Sequence, residues 1–292
     1  MSIFDGLKEI VEQDYPLGQS TWFGLGGNAD YFIRPRNVAE LAEVVKICSS
    51  NDLPIHVLGF GSNLLISDDG VRGVVIKLDA DEFKKTSFEP GKLVAGAGVD
   101  LNELVRESVR RGLGGLESLA GIPGSIGGAV RMNAGGNFGD FGSSVELVTL
   151  MDNEGKVFEK SKPELSFDYR KTNITAKFIL SATIKLYEST PEHLLRTVKE
   201  VWIYKKNTQP LNTRNAGCVF KNPRGVSAGA MIDRVGLKGF QVGGAVVSEK
   251  HANFIVANDD CKSADVITLI DEIKAQVKQK FDVDLALELE IW

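Results

Sequence analysis

Gly121-Ile122-Pro123-Gly124-Ser125-Ile126-Gly127-Gly128-Ala129 is the stretch on which the reading of the fold turns. It carries no charge, so it belongs inside the protein. It also has too little side chain to pack as an ordinary core segment. Backbone pressed against a flat ligand accounts for both properties, because glycine lets a main chain approach closely. Asn133 and Gly135 continue the run. The chain holds 31 glycines, and eleven of them fall between Gly112 and Gly142. Apolar residues interleave them, which excludes collagen and low-complexity sequence. A second stretch, Leu58-Gly59-Phe60-Gly61-Ser62-Asn63, follows the apolar run that begins at Pro54. A strand that ends in such a turn bares N–H groups able to hold a phosphate, and Ser62 and Asn63 add donors. A plain turn is the alternative. No helix-period segment follows the glycines directly and no Gly-Lys-Ser/Thr occurs, so neither the Rossmann fingerprint nor a Walker loop is present. Taken together, the two stretches point to a nucleotide-type cofactor.

Outward from these stretches, the first half alternates helices and strands. Asn37 with Glu40 reads as a capping box before a stripe of Leu41, Val44, Val45 and Cys48, which makes Cys48 a core residue. Asp100 with Glu103 reads as a second box, with Leu101, Leu104, Val105 and Val109 inward and Gly112 just past the helix end. Strands are expected at 54–58, 74–76, 93–95 and 178–187, and a hairpin at 145–158 around Asn153-Glu154-Gly155. The pattern changes near Glu188. Thr190-Pro191 opens a helix with Leu194, Leu195, Val198 and Trp202 on one face. A long helix from Ser263 to about Phe281 carries Val266, Leu269, Ile270, Ile273 and Val277. The last ten residues alternate Val283, Leu285, Leu287, Leu289 and Ile291 with polar or small residues, and read as a strand that turns Glu288 away from the core. A domain boundary is expected near residue 188, with no Pro/Ser linker and no repeat.

Composition narrows the function classes. Hydrophobic residues make up 43% and charged residues 25% of 292, the mix of a soluble globular protein. A net charge of −5 argues against non-specific nucleic-acid binding. No apolar run reaches the ~18 residues of a membrane span. Met1 to Pro16 carries five charged residues and no apolar h-region, so no signal peptide is expected. Cys48, Cys218 and Cys261 are far apart, as are His56, His193 and His251. That pattern fits a reducing cytoplasm and no metal site.

Four further places carry chemistry. Arg170, in Asp168-Tyr169-Arg170-Lys171, offers a guanidinium fork for a carboxylate or phosphate, or else a solvated surface charge. Cys218, in Asn215-Ala216-Gly217-Cys218-Val219-Phe220-Lys221-Asn222-Pro223, is a thiol beside flexible backbone and a cation, either reactive or inert. Lys205, Lys206, Lys221, Lys238 and Lys250 supply cations for a diphosphate in the second half. His251, in Lys250-His251-Ala252-Asn253, is open to a structural or a ligand role.

In this order, these motifs resemble the UDP-N-acetylenolpyruvoylglucosamine reductase (UDP-N-acetylmuramate dehydrogenase) family, from Thr21-Trp22-Phe23-Gly24 to Glu288. The strongest pieces are Gly59 to Leu65, Gly121 to Gly135, Tyr169-Arg170 and Ala216 to Pro223. The resemblance implies an α+β protein. Residues 1–187 would form a two-subdomain FAD-binding module of the p-cresol methylhydroxylase/vanillyl-alcohol-oxidase type, and 188–292 a smaller α+β substrate-binding domain. It implies bound FAD, held by Gly59, Gly61, Ser62, Asn63, Leu64, Gly121, Ile122, Pro123, Gly124, Ser125, Gly127, Gly128, Asn133 and Gly135. NADPH would reduce the FAD, and a UDP-sugar enolpyruvyl ether would then receive hydride from flavin N5. By the same resemblance Arg170 and Glu288 engage the substrate carboxylate region, and Cys218 stands where the family's proton donor is usually Ser. A thiol, with a reference pKa near ~8.5, is the stronger acid and can fill that role. Tyr169, Lys205, Lys221, Asn222, Lys238 and His251 would contact substrate. A cytoplasmic monomer serving peptidoglycan synthesis is expected, with small-molecule partners only. The competing readings are an FAD-dependent oxidase or dehydrogenase of the same fold with another substrate, and a non-catalytic flavin or nucleotide-sugar binder.

Overall fold

The computed structural model describes residues 3–223 and 225–292; of the expected 1–187 module, residues 1 and 2 lie outside the described residues. The chain forms two compact units. The first takes the chain up to Asp14, Asp30–Phe60 and Arg72–Ile203; the second takes Tyr15–Ala29, Gly61–Val71 and Tyr204–Trp292.

The first unit is built on two sheets. One has the order β1 (Val11–Pro16), β2 (Asn28–Ile33), β5 (Val71–Lys77), β3 (Ile55–Leu58), with β3 and β5 parallel. Helix α1 (Val38–Ser50) buries Leu41, Val44, Val45 and Cys48, as the periodicity predicts. Burial pushes the Cys48 thiol up to about 11. Asn37 does cap α1, accepting the Glu40 N–H at 2.9 Å. The capping box is not reciprocal, however. The Glu40 carboxylate turns to the N–H and guanidinium of Arg36, at 2.7 and 2.8 Å, because a charged partner outcompetes a neutral amide.

The other sheet is antiparallel, in the order Val157–Ser161, Val145–Met151, Phe178–Lys185, β7 (Lys92–Gly96), β6 (Thr86–Glu89). The expected hairpin is its outer pair. Helix α2 (Leu101–Arg110) starts where Asp100 accepts from the N–H groups of Asn102 and Glu103, and stops at Gly112 with φ +70°. Here Gly112 sits in the left-handed region that ends a helix.

The glycine-rich stretch differs from expectation. Its second half is a short helix, α3 (Ile126–Arg131), with Ser125 as N-cap. Two glycines near the helix start lower its propensity but do not forbid it, because the turn that follows β7 supplies partners. The Ile126 N–H donates to Val99 O at 2.9 Å and the Gly127 N–H to Ala97 O at 2.9 Å.

Helix α4 (Pro191–Thr208) begins at proline as read, but its buried face is rotated. Leu194, Val201 and Lys205 are buried, while Leu195 and Trp202 are 43% and 46% exposed. The apolar residues offered two stripes, and packing selected Leu194/Val201.

The second unit carries a small antiparallel sheet of Gln241–Val242, Ala245–Val247 and Ile255–Ala257, helix α5 (Ala228–Arg234) and helix α6 (Ser263–Phe281). The α6 stripe Val266, Leu269, Ile270, Ile273 and Val277 is buried against Phe23, Leu65, Phe220 and Ile232. Asp68 satisfies the first amides of α6, accepting from Ser263 and Ala264 at 3.0 and 3.1 Å.

The C-terminal segment is not one strand. Residues 286–288 pair with 219–221, bridging Phe220 to Leu287. The chain then changes partner, and Glu290–Ile291 runs parallel to β4 (Leu64–Leu65). A switch of partner breaks the ladder that the alternation implied. The burial alternation still holds through Leu285 and Leu289, at 5% and 3% exposed.

Ile273 is fully buried. Ile273→Ala is expected to lower unfolding free energy by about 2–5 kcal/mol in chemical denaturation. A loss below about 1 kcal/mol would contradict this packing of α6.

Candidate active site

In the first unit the two glycine-rich stretches wall one cleft, of about 110 Å³, between the ends of β3 and β7 and the start of α3. Gly59, Phe60, Gly98, Ser125, Gly127 and Gly128 line it. A Cβ on Gly59 would lie 2.8 Å from Ser125 Oγ, whereas one on Gly128 would meet nothing closer than that same hydroxyl at 3.5 Å. The cleft is therefore backbone-walled, with the Ser125 hydroxyl between. The start of α3 is not itself an anion site: the Gly128 N–H goes to Ser125 Oγ, completing the use of its first amides. The Gly121–Gly124 loop leads into it, with φ values of +69° and +153° at its two glycines. Asn102 clamps this loop, accepting from the Gly121 N–H at 2.7 Å and donating to Ile122 O at 2.9 Å.

Sequence reading missed the cations of this cleft. Lys77, Arg131 and Lys177 line it with one carboxylate, Asp79. Asp79 faces Lys77 at 3.9 Å and Arg34 at 3.8 Å. Arg131 and Lys177 have no carboxylate within 4.0 Å among the described residues. Arg131 donates to the carbonyls of Ile174, Ala176 and Lys177, and burial lowers its pKa below the usual arginine value. Lys177 donates to Ile55 O at 2.8 Å. A backbone-walled cleft holding two cations without carboxylate partners fits an anionic dinucleotide such as FAD. Reading Ser125 as an N-cap would have exposed Arg131 as the helix's last residue.

Asn133 and Gly135 serve Arg170. Asn133 is 2% exposed, accepts the Gly142 N–H at 2.8 Å and donates to Asp168 O at 3.0 Å. Arg170, with φ +53°, donates to Gly135 O at 2.8 Å, and its guanidinium lies 5.3 Å from the exposed Tyr169 ring.

The second unit brings Cys218 and Glu288 onto neighbouring backbone. Cys218 follows Gly217, whose φ is +75°, and is half-buried. The next residue, Val219, accepts the Glu288 N–H at 2.9 Å, and the Lys221 N–H donates to Ala286 O at 2.8 Å. Asn253 holds the same segment from the other side. Its Oδ1 accepts the Phe220 N–H at 2.9 Å, its Nδ2 donates to Phe220 O at 2.8 Å, and its carbonyl accepts the Val219 N–H at 2.9 Å. Nothing in the sequence around Asn253 singled out this role, because an asparagine in a Lys-His-Ala-Asn turn looks like any polar loop residue.

Gly61, Ser62, Asn63 and Leu64 belong to this unit too. Gly61 is glycine for a packing reason: φ is +64°, and a Cβ would lie 2.3 Å from Ser20 O. Its carbonyl accepts the Trp22 N–H at 3.1 Å.

Several of the expected substrate contacts gather around α5, where Lys238 is near enough to His251 to add to burial in lowering its pKa. Lys238 is paired with Asp233 at 2.9 Å. Asn222 accepts the Ala228 N–H at the start of α5, at 2.9 Å. His251 accepts the Asn253 N–H through Nδ1 at 3.2 Å and stacks edge-on to Phe254, and burial lowers its pKa. Lys205 is 9% exposed, and burial pulls its pKa to about 8. Lys221 is half-buried.

A FAD-binding-domain model matches residues 29–161, which with the backbone-walled cleft makes the chain a flavin-dependent oxidoreductase of mixed α+β fold. A model of the UDP-N-acetylenolpyruvoylglucosamine reductase C-terminal domain matches residues 209–292. A UDP-N-acetylenolpyruvoylglucosamine reductase of Lachnoclostridium phytofermentans is 40% identical over 299 residues, covering 99% of this chain and 96% of its own. Another, of Moorella thermoacetica, is 40% identical over 288 residues, covering 98% and 95%. The crystal structure of UDP-N-acetylenolpyruvylglucosamine reductase from Thermus caldophilus superposes with a TM-score of 0.84 at 38% identity, over 97% of this chain and 98% of that one. The chain belongs to the UDP-N-acetylenolpyruvoylglucosamine reductase family.

Lys205 makes a testable link to pH. Its folded-state pKa of about 8 lies below the ordinary 10.5. Between these values the unfolded chain binds more protons, so this group adds stability as pH rises through that window. The thermal midpoint of the parent relative to Lys205→Met is expected to climb from pH 8 to 10. Parallel curves would contradict the burial of this amine.

Proposed function

We propose that the chain carries out the family's reaction, reduction of the enolpyruvyl ether of UDP-N-acetylglucosamine to UDP-N-acetylmuramate for peptidoglycan, with Cys218 as proton donor. The adjacency of Cys218 and Glu288 on one clamped backbone carries this reading. Bound FAD, itself reduced by NADPH, supplies the hydride for the substrate's double bond. Gly59, Ser125, Gly127 and Gly128 form the walls against which the dinucleotide lies, and Arg131 and Lys177 offset its charge.

Arg170 takes the substrate carboxylate. Its guanidinium stabilises the enolate-like charge that grows there once the distal carbon has gained hydride. Support comes from the way Asn133 and Gly135 fix its turn. Cys218 then gives its Sγ proton to the carbon next to the carboxylate, and solvent restores the thiol. Glu288, protonated beside the substrate carboxylate, donates a hydrogen bond to it; two carboxyl groups in proximity keep one proton between them. Tyr169, Lys205 and Lys221 contact the nucleotide-sugar. FAD is assigned to 1–187 and most of the substrate contacts to 188–292, with Tyr169 and Arg170 contributed by the first segment; the two matched models fall on either side of residue 187. The enzyme works as a cytoplasmic monomer, where its nucleotide-sugar and NADPH are made. Among the described residues no helix is long and apolar enough to cross a membrane.

Beyond the equivalent that reduces its flavin, the purified protein is expected to oxidise NADPH only when the enolpyruvyl sugar is present; steady oxidation without it would overturn the assignment. Cys218→Ala should still be reduced by NADPH, but flavin reoxidation by substrate should slow by at least 100-fold, while Cys218→Ser keeps substantial activity. Stopped-flow absorbance separates the two half-reactions, and normal reoxidation of the alanine variant would remove Cys218 from the mechanism. Thiol alkylation should inactivate the enzyme, and substrate should protect it. Equal labelling with and without substrate counts against a thiol in the pocket.

A further inference from the structure

We propose that Asn63, which the sequence groups with the flavin-binding residues, is a positioning residue for the acid Glu288. The inference rests on the reading of Glu288 as an acid that meets the substrate.

Asn63 ends the Gly59–Asn63 stretch, yet its side chain does not stay there. Its Nδ2 donates to Glu288 O at 3.0 Å, across 225 residues of sequence. Its own carbonyl accepts the Glu290 N–H at 3.1 Å. On the other side, the Glu288 N–H donates to Val219 O, next to Cys218. The main chain of Glu288 is therefore held at both polar groups, one by the Cys218 segment and one by Asn63. A main chain held on both sides fixes where the acid's side chain starts, which is what an acid aimed at a substrate needs.

The role is separable from holding the C-terminus in place. The Glu290 N–H to Asn63 O, Trp292 N–H to Leu65 O and Ser67 N–H to Trp292 O bonds use only main chain, and every side chain at position 63 keeps them. The side-chain amide adds the single bond to the carbonyl of Glu288. Alanine deletes that donor. Aspartate replaces it with a carboxylate facing a carbonyl, which is repulsive while ionised.

In FAD-loaded enzyme, Asn63→Ala is expected to accept electrons from NADPH within threefold of the parent rate. Its flavin should be reoxidised by the enolpyruvyl substrate at least tenfold more slowly, and Asn63→Asp should be slowed as much or more. A residue with a merely structural role would not split the half-reactions. Parent-rate reoxidation in Asn63→Ala would overturn the proposal, as would equal slowing of both half-reactions with loss of FAD, which would assign Asn63 to the flavin. Glu288→Gln serves as the control. If it reoxidises at the parent rate, the reading of Glu288 as an acid fails and the proposal built on it falls with it. If Glu288→Gln is slow and Asn63→Ala is not, only the positioning role is lost.

Discussion

Two hydrogen bonds between the Asn253 amide and the backbone of Phe220 hold the segment on which the proposed chemistry rests. Asn253 is 3% exposed, and both polar groups of Phe220 are turned to it. The amide acts as a one-residue strand, presenting an acceptor and a donor where a neighbouring strand would. Each such bond left unmade inside the protein costs about 1–3 kcal/mol, so the segment has little alternative. Once Phe220 is fixed, Val219 presents its carbonyl to Glu288, Lys221 reaches Ala286, and Cys218 is set beside the acid's own backbone. A cysteine 70 residues before the acid is brought to it by main chain, which tolerates change in the side chains around it.

The backbone-walled cleft of the first unit uses the opposite strategy. There the main chain is the wall, and the ordered charges come from side chains that act through carbonyls. Arg131 ties down Ile174, Ala176 and Lys177, and so fixes the entry to the strand Phe178–Lys185 that flanks the cleft. The chain as a whole is acidic, at −5, yet this cleft concentrates basic groups. Net charge argued against non-specific nucleic-acid binding but could not report a local field, because fields depend on where charges converge.

Periodic elements were legible in the sequence. The stripes of α1 and α6, the Asp100 cap, the Gly112 stop and the 145–158 hairpin are local, and each follows from spacing that any chain obeys. Failures came where two local answers were equally good or where a distant partner decided. α4 offered two stripes, and packing chose the one with Val201. The C-terminus alternates like a strand but changes partner after Glu288. α3 is short and glycine-bearing, and exists because Ala97 and Val99 receive its amides. Cys218, Arg170 and Glu288 were named from their sequence context and the family resemblance; the second unit sets Cys218 and Glu288 on neighbouring backbone, and the first ties Arg170 to Gly135. Asn253, Asn102, Arg131 and Lys177 act by holding other residues, and nothing in their immediate sequence says so.

The proposed reaction requires a thiol that delivers a proton. A thiol can do so only while it is protonated, whereas a serine hydroxyl stays protonated throughout the accessible range. The most direct measurement is the pH profile of flavin reoxidation by the enolpyruvyl substrate, taken on NADPH-reduced parent and on Cys218→Ser. An alkaline decline in the parent that is absent from the serine variant is the predicted result. Superimposable profiles would contradict a proton carried by Cys218.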